Sequence, residues 1–260
     1  GWLYFISGGR ETAGGVYRLV YTGETPTLES RVGKGISAAI RYPQFQSAWA
    51  RQAIAKIKQG DAERWNVVMP AVARTTKNST RFRTRALDLM HLYGPPIDSK
   101  TLIDLSQDED AHVRAKATEL MGLGDKVKFQ KALTALLRDD DAGVRRTACA
   151  ALVRGGGKVE LDALKPLLIS NDRYESFAAR RLLETLPVES WQEEVLTTDD
   201  QRLFIQGGTA LVIAQGNKET SKAVLDRFAQ ILPGFINDND FIDMLRLVQI
   251  AIQRGEMTQQ

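Results

Sequence analysis

From Gln44 onward the apolar residues fall at spacings of three and four, the period of an amphipathic helix and not of a strand. Over Gln46–Gln59 the positions Trp49, Ala53, Ile54 and Ile57 make one apolar stripe, and Gly60 ends it. The helices that follow come in pairs. They are predicted at roughly Arg64–Thr76 with Ser79–Tyr93, Ser99–Ser106 with Asp110–Gly122, Lys128–Leu137 with Asp141–Arg154, Glu160–Ile169 with Asp172–Leu186, Ser190–Leu196 with Asp200–Ala214, and Glu219–Leu232 with Asp238–Arg254. Within them Asp110-Ala-His-Val113-Arg114-Ala-Lys-Ala117 returns as Asp141-Ala-Gly-Val144-Arg145-Arg-Thr-Ala148, each residue displaced by 31 positions. One step earlier the frame meets Phe82, Arg83 and Ala86. One step later it meets Asp172 and Ala179, and then Ala210, with Val-Arg replaced by Glu175-Ser176. A period of this length in a two-helix unit predicts an all-α solenoid of about six helix pairs, whose repeats bury their apolar faces on one another. The last unit is longer than 31 residues, and Pro233-Gly234-Phe235 is expected to break the phase there.

The recurring segment has a mechanical reading. Ser79, Asp110, Asp141 and Asp172 stand where a side-chain oxygen can accept from the open N–H groups of a first helical turn, worth roughly 1 kcal/mol each. Three residues on comes Phe or Val, seven on comes alanine (Ala86, Ala117, Ala148, Ala179), and ten on comes Leu89, Leu120 or Leu182, with Ala151 in the third repeat. These share one helix face. The alanines allow neighbouring helices to approach closely, and the leucines fill the space beside them. Arg83, Arg114 and Arg145 follow their caps by four residues, so stacking is expected to bring each to a carboxylate of the adjacent repeat. A basic stripe for phosphate is the alternative use of the same arginines.

Residues 1–24 differ in kind. Trp2–Ser7 and Val16–Tyr21 are rich in aromatic and β-branched side chains around a glycine-rich loop, which reads as one β-hairpin. A lone hairpin is marginal in water, so it is expected to pack on the solenoid or to belong to a sheet whose other strands lie elsewhere. Residues 25–43, with several Gly and Pro and no sustained period, read as a linker into a helical domain over 44–260. The start at Gly1, without Met or a signal-like segment, and the end without a capping repeat predict a piece of a longer protein.

Composition narrows the chemistry. The 43% hydrophobic content of these 260 residues is enough for a continuous core, and no run of about 18 apolar residues is present to span a membrane. The 35 basic and 32 acidic side chains leave a net charge of +3, too balanced to predict a nucleic-acid or anionic-membrane partner. His91 and His112 lack a second ligand at metal-binding spacing and read as a helix-end and a solvated helix-start residue. Cys149, inside an apolar run, reads as a small buried thiol; one cysteine also excludes an internal disulfide. Gly8-Gly9 and Gly14-Gly15 precede a strand instead of the helix a phosphate loop needs, and Gly155-Gly-Gly157 reads as a left-handed helix cap. The acidic runs Asp108–Asp110 and Asp139–Asp141 lack the glycine and the terminal glutamate of a calcium loop and read as turns plus caps. No catalytic, cofactor or metal residues are assigned.

The unit Asp-x-x-Val-Arg-x-x-Ala resembles the second helix of a HEAT repeat over about residues 64–215, a class of scaffolds and adaptors. More narrowly, Gly1-Trp-Leu-Tyr-Phe-Ile-Ser-Gly-Gly-Arg10 with Gly14-Gly-Val-Tyr-Arg18 resembles the closing hairpin of the sorbosone-dehydrogenase-like β-propeller of large exported planctomycete-type proteins. In these, helices with a segment like Arg85-Ala-Leu-Asp-Leu-Met-His-Leu-Tyr-Gly-Pro95 lead into HEAT repeats and often a cytochrome c module. This chain lacks most of the propeller and the whole haem module. That resemblance implies an exported or periplasmic location and redox activity in the parent, none of it performed by these residues. A family of small DNA glycosylases also resembles a stack of HEAT-like helices, in which Trp65 and Trp191 with a nearby Asp would read a damaged base.

The expected role is a non-catalytic scaffold or protein-interaction module spacing a propeller dehydrogenase-like domain from a downstream module. A general adaptor outside any redox system is the alternative, and a DNA glycosylase the remote one. The partners expected are a protein or adjacent domains of the same chain. Because the hairpin cannot bury its aromatic face alone, the codons before Gly1 should encode at least three further strands. Sequencing that region checks this, and an open reading frame that starts within a few codons of Gly1 would overturn it.

Overall fold

The computed structural model describes residues 3–9, 11, 13–24, 27–231, 234 and 237–256. They fall into two compact units, Gly1–Asp61 and Ala62–Gln260.

In the first unit β1 (Leu3–Ser7) and β2 (Gly15–Leu19) pair antiparallel in the register Leu3↔Leu19, Phe5↔Tyr17, and the Phe5 and Tyr17 rings stack at 5.1 Å. Trp2, read as the first strand residue, lies outside the described residues. The stretch read as a linker is partly helical. α1 (Leu28–Val32) is capped by the Thr27 hydroxyl, and α2 (Ile36–Arg41) buries Ile36, Ala38, Ala39 and Ile40. Both helices are too short to show a period in sequence. The glycines between them make the turn, Gly33 at φ 79° and Gly35 at φ 66°, backbone conformations that an L side chain resists. α3 (Ala48–Gly60) starts at the Ser47 cap and buries Ala50 and Ile54. Trp49, expected in its apolar stripe, is instead 46% exposed against Tyr42.

The second unit is the all-α solenoid. Its six pairs are α4 (Ala62–Arg74) with α5 (Thr80–Tyr93), α6 (Ser99–Leu105) with α7 (Ala111–Met121), α8 (Lys126–Ala135) with α9 (Ala142–Gly155), α10 (Leu161–Leu168) with α11 (Arg173–Leu183), α12 (Gln192–Thr197) with α13 (Gln201–Ala214), and α14 (Lys218–Ile231) with α15 (Asp238–Arg254). Each second helix packs on the next, from α5 through α7, α9, α11 and α13 to α15. α8 begins and ends two residues earlier than expected and is closed by a 3₁₀ turn at Leu136–Arg138, and another 3₁₀ turn precedes α12 at Val188–Ser190.

The caps sit where the motif places them. Ser79 accepts from Phe82 N, Asp110 from His112 and Val113 N, Asp141 from Val144 N, and Asp172 from Tyr174 and Glu175 N. The seam alanines Ala86, Ala117, Ala148 and Ala179 are all fully buried. Close approach is visible at Gly122, where a Cβ would lie 2.6 Å from that of Ala151 on the following second helix.

The 31-residue phase ends earlier than the sequence implies. The next cap is Asp200, 28 residues after Asp172, so the seam position of α13 is Gly207 and not Ala210. A Cβ on Gly207 would meet Val195 Cγ2 of α12 at 2.6 Å, so at this place α13 lies close against the first helix of its own pair. Of the segment expected to break the phase, only Gly234 is described; Pro233 and Phe235 lie outside.

The seam therefore tolerates no added volume, whereas His112 is 85% exposed along its side chain. Ala148→Leu is expected to cost roughly 1–3 kcal/mol and His112→Ala almost nothing. Thermal melts of the two variants check the order, and a larger loss in His112→Ala would reverse it.

Candidate protein-interaction face

The three motif arginines form a ladder between repeats. Arg83 donates to both oxygens of Asp108, one bond being 2.9 Å, and its Nε donates to Ala73 O at 3.0 Å. Arg114 grips Asp139 in the same two-pronged way, at 2.8 Å twice, and its Nη1 donates to the carbonyls of Asp108 and Glu109. Asp108 and Asp139 in turn accept from the backbone N–H two residues on, at the caps Asp110 and Asp141. Each rung thus joins a helix, the next inter-helix turn and the next cap.

The third rung changes its parts and keeps its function. The residue 31 after Asp139 is Ser170, which cannot pair with Arg145 as a carboxylate would. Glu175, in the slot held by buried Val113 and Val144, supplies that carboxylate to Arg145. Ser170 donates its hydroxyl proton to Glu175 and accepts from Asp172 N at 3.1 Å. The motif's loss of Val-Arg at Glu175-Ser176 is therefore the ladder's last rung.

Electrostatics follow the geometry. Hydrogen bonding to Arg83 holds the Asp108 carboxyl below its ordinary value of 3.8, and the partnership raises Arg83. Burial pushes Asp139 up, but the Arg114 bonds and the Asp141 N–H outweigh it and the net displacement is downward. The Thr80 hydroxyl lowers Asp110. Guanidinium groups held this way point at carboxylates of the stack.

The other candidates separate cleanly. Cys149 is fully buried, and burial pushes its thiol up to about 12, which removes the thiolate a nucleophile needs. Trp65 is fully buried, its Nε1 donating to Gly94 O at 2.7 Å, and Trp191 is 2% exposed. Neither indole can stack on an extruded base, which corrects the glycosylase assignment of these two residues. His91 is exposed at the end of α5, and His112 lies on the outer surface of α7. Among the described residues no group of three or more His, Cys, Asp or Glu could hold a metal ion, and no helix is long and apolar enough to cross a membrane.

What remains is the outward face of the second helices. Two and five residues after each cap stand Arg81 and Thr84 on α5, His112 and Ala115 on α7, Gly143 and Arg146 on α9, and Tyr174 and Phe177 on α11. The period that fixes alanine at the seam fixes nothing here. Small residues leave open grooves of about 570 Å³ between α5 and α7 and about 700 Å³ between α7 and α9. Lys116 lies in the first, held by Asp88 at 3.0 Å and Glu119 at 2.6 Å.

Between α9 and α11 the grooves give way to a raised patch. Tyr174 is 63% and Phe177 52% exposed. The Arg146 and Arg173 guanidinium carbons lie 5.8 and 5.6 Å from the Tyr174 ring centre, and that of Arg180 lies 5.2 Å from Phe177. Burial lowers Arg180 and raises its neighbour Glu184, 3.6 Å away. Sequence reasoning passed over both aromatics. The available signal was two rings, two and five residues past a cap, on positions that the packing face does not use.

The sequence pattern of HEAT repeats matches residues 99–184, from α6 through α11. No curated protein matches the chain. Among solved structures, an engineered protein from a structural genomics consortium is 18% identical, with 72% of this chain and 97% of that one covered and a TM-score of 0.39. The complex of CpcE and CpcF of phycocyanin lyase from Nostoc sp. PCC7120 is also 18% identical, with 94% and 99% covered and a TM-score of 0.41.

The ladder makes stability sensitive to acid. Asp108, Asp110 and Asp139 release their protons more readily folded than unfolded, so their contribution is complete above the unfolded value of 3.8. It is lost as pH falls below that value and through the lower folded ones. Urea midpoints should be level from neutrality to about pH 5 and fall steeply below about pH 4. Asp139→Asn should cost about 2–3 kcal/mol at neutral pH and flatten the acid limb. An unchanged limb in that variant would remove the ladder from the explanation.

Proposed function

We propose that this chain is a non-catalytic helical-repeat scaffold whose outward second-helix face docks a protein, either a separate partner or a neighbouring domain of the same polypeptide. The observation that carries the reading is the contrast between buried and outward positions. The seam repeats alanine four times, while the outward sites carry unrelated residues and culminate in exposed Tyr174 and Phe177 beneath arginines. Packing alone gives no reason to hold two large rings in water. Aromatic residues and arginine are the side chains that most often dominate protein-binding energy, because they bury large area with little entropy loss and keep a polar handle. The partner this patch fits offers an apolar pocket for the rings and a carboxylate for Arg173. The ladder supports a protein over a nucleic acid, since Arg83, Arg114 and Arg145 are already committed to Asp108, Asp139 and Glu175.

A second observation favours a spacer role within a larger protein. Leu3, Tyr4, Phe5, Ile6, Val16, Tyr17 and Leu19 are all at least half exposed, so the hairpin presents apolar side chains on both faces. A larger sheet with layers packed on its faces would cover them. With the sequence likeness to a propeller's closing hairpin, this supports placing the scaffold between a propeller dehydrogenase-like domain and a downstream module, in an exported or periplasmic protein.

The Tyr174→Ala/Phe177→Ala variant should fold and melt as the parent does and should lose a partner captured by the parent, at least tenfold in affinity. Val127→Lys, at an exposed site on α8, should keep it. Quantitative affinity capture, followed by titration of the identified protein, makes the comparison. Capture unaffected by the double variant would sink the docking face. So would sub-micromolar binding of duplex DNA at physiological salt that disappears when Arg83, Arg114 and Arg145 are replaced.

A further inference from the structure

Each second helix covers the one before it and is covered by the one after it, and the covering contact falls at fixed places. Eight and eleven residues after the cap, Cys149 and Leu152 on α9 are buried to 1% or less. On α13 the residues four and eleven after the cap, Phe204 and Leu211, are fully buried. Gly208, eight after that cap, would place a Cβ 3.3 Å from Leu247 of α15, so this face looks forward to the next second helix.

On α15, capped by Asn237, the same count of four, eight and eleven gives Phe241, Leu245 and Val248, and one turn further the longer helix adds Ile252. All four are apolar. Phe241 is 44%, Leu245 52% and Ile252 44% exposed, and Ile242 beside them is 63% exposed. The adjoining side of the helix, Met244, Leu247 and Ala251, is buried, with Leu247 against Gly208 of α13. α15 thus presents a forward packing face, continuous in kind with the interfaces along the solenoid and without a helix upon it among the described residues.

We propose that this stripe joins two copies of the chain, α15 against α15 about a two-fold axis. Continuity with the stack requires the occupant to be a helix. Spacings of four, three and four are those of a two-helix seam, in which each residue enters a space between residues of the facing helix. No charged side chain stands in the stripe, so its copy meets it without like-charge repulsion. α15 is itself the described helix with an uncovered stripe of this spacing, and a two-fold contact closes with both faces satisfied. The stripe holds few residues beside the roughly 20–30 a side of a standard protein interface, so the association is expected to be weak. It uses none of the residues of the α9–α11 patch, so either site can fail without the other.

Sedimentation equilibrium of the full chain, from sub-micromolar to sub-millimolar concentration, tests it. The mass should rise from one copy to two, and Leu245→Lys and Ile252→Lys should each weaken the association at least tenfold while circular dichroism stays unchanged. Ile6→Lys, at an 80% exposed site of the hairpin, should leave it intact. A mass of one copy throughout would overturn the proposal and leave the stripe to a helix of another protein or of a longer form of this one. Association that survives both lysine variants, or that Ile6→Lys abolishes, would overturn it by placing the contact elsewhere.

Discussion

The solenoid depends on how closely each second helix can approach its neighbours. At Ala86, Ala117, Ala148 and Ala179 the side chain is a methyl group, and all four are fully buried. Apolar residues on either side, such as Leu120 and Leu182, gain dense contact only because the backbones come this near. In the unit shortened by three residues Gly207 holds the same place after the cap, and its close neighbour is Val195 of α12, the first helix of its own pair. The repeat can lose its length and its motif, but not its small residue at the crossing.

A seam of methyl groups has little means of fixing register, and the ion-pair ladder supplies it. A guanidinium bound at two points to a carboxylate, and again to backbone carbonyls, is satisfied in one alignment of neighbouring repeats. The rung at Arg145 shows the constraint most clearly. With Ser170 in place of aspartate, Glu175 enters the valine slot, where Arg145 and the Ser170 hydroxyl both meet its side chain. A carboxylate in that slot without them would carry a desolvation cost of several kcal/mol.

With seam and ladder facing inward or along the stack, the outward face is relieved of structural duty. Glycine, alanine and threonine open grooves there, and on α11 tyrosine and phenylalanine stand exposed against arginines. The stack ends differently. α15 offers Phe241, Leu245 and Ile252 at the places where earlier helices are covered, so side and end present different chemistry to different neighbours.

Much of this was readable from the sequence alone. The 31-residue recurrence, the caps and the alanine seam follow from local rules, because helix periodicity and capping act within a few residues, and the expectation that Arg83 and Arg114 meet carboxylates of the next repeat follows from stacking that period. Tertiary structure decided the rest. Residues 28–41 form helices too short to register as a period, and Trp49 lies outside the core because burial there depends on packing within the first unit. The frame slips at Asp200 because helix contacts and not residue counts position α13, so Gly207 and not Ala210 is its seam residue. Glu175 reads in sequence as decay of the motif, and only the proximity of Arg145, 30 residues away, makes it a rung. The exposed rings of Tyr174 and Phe177 became recognisable only when the stack showed which side of α11 its neighbours leave open.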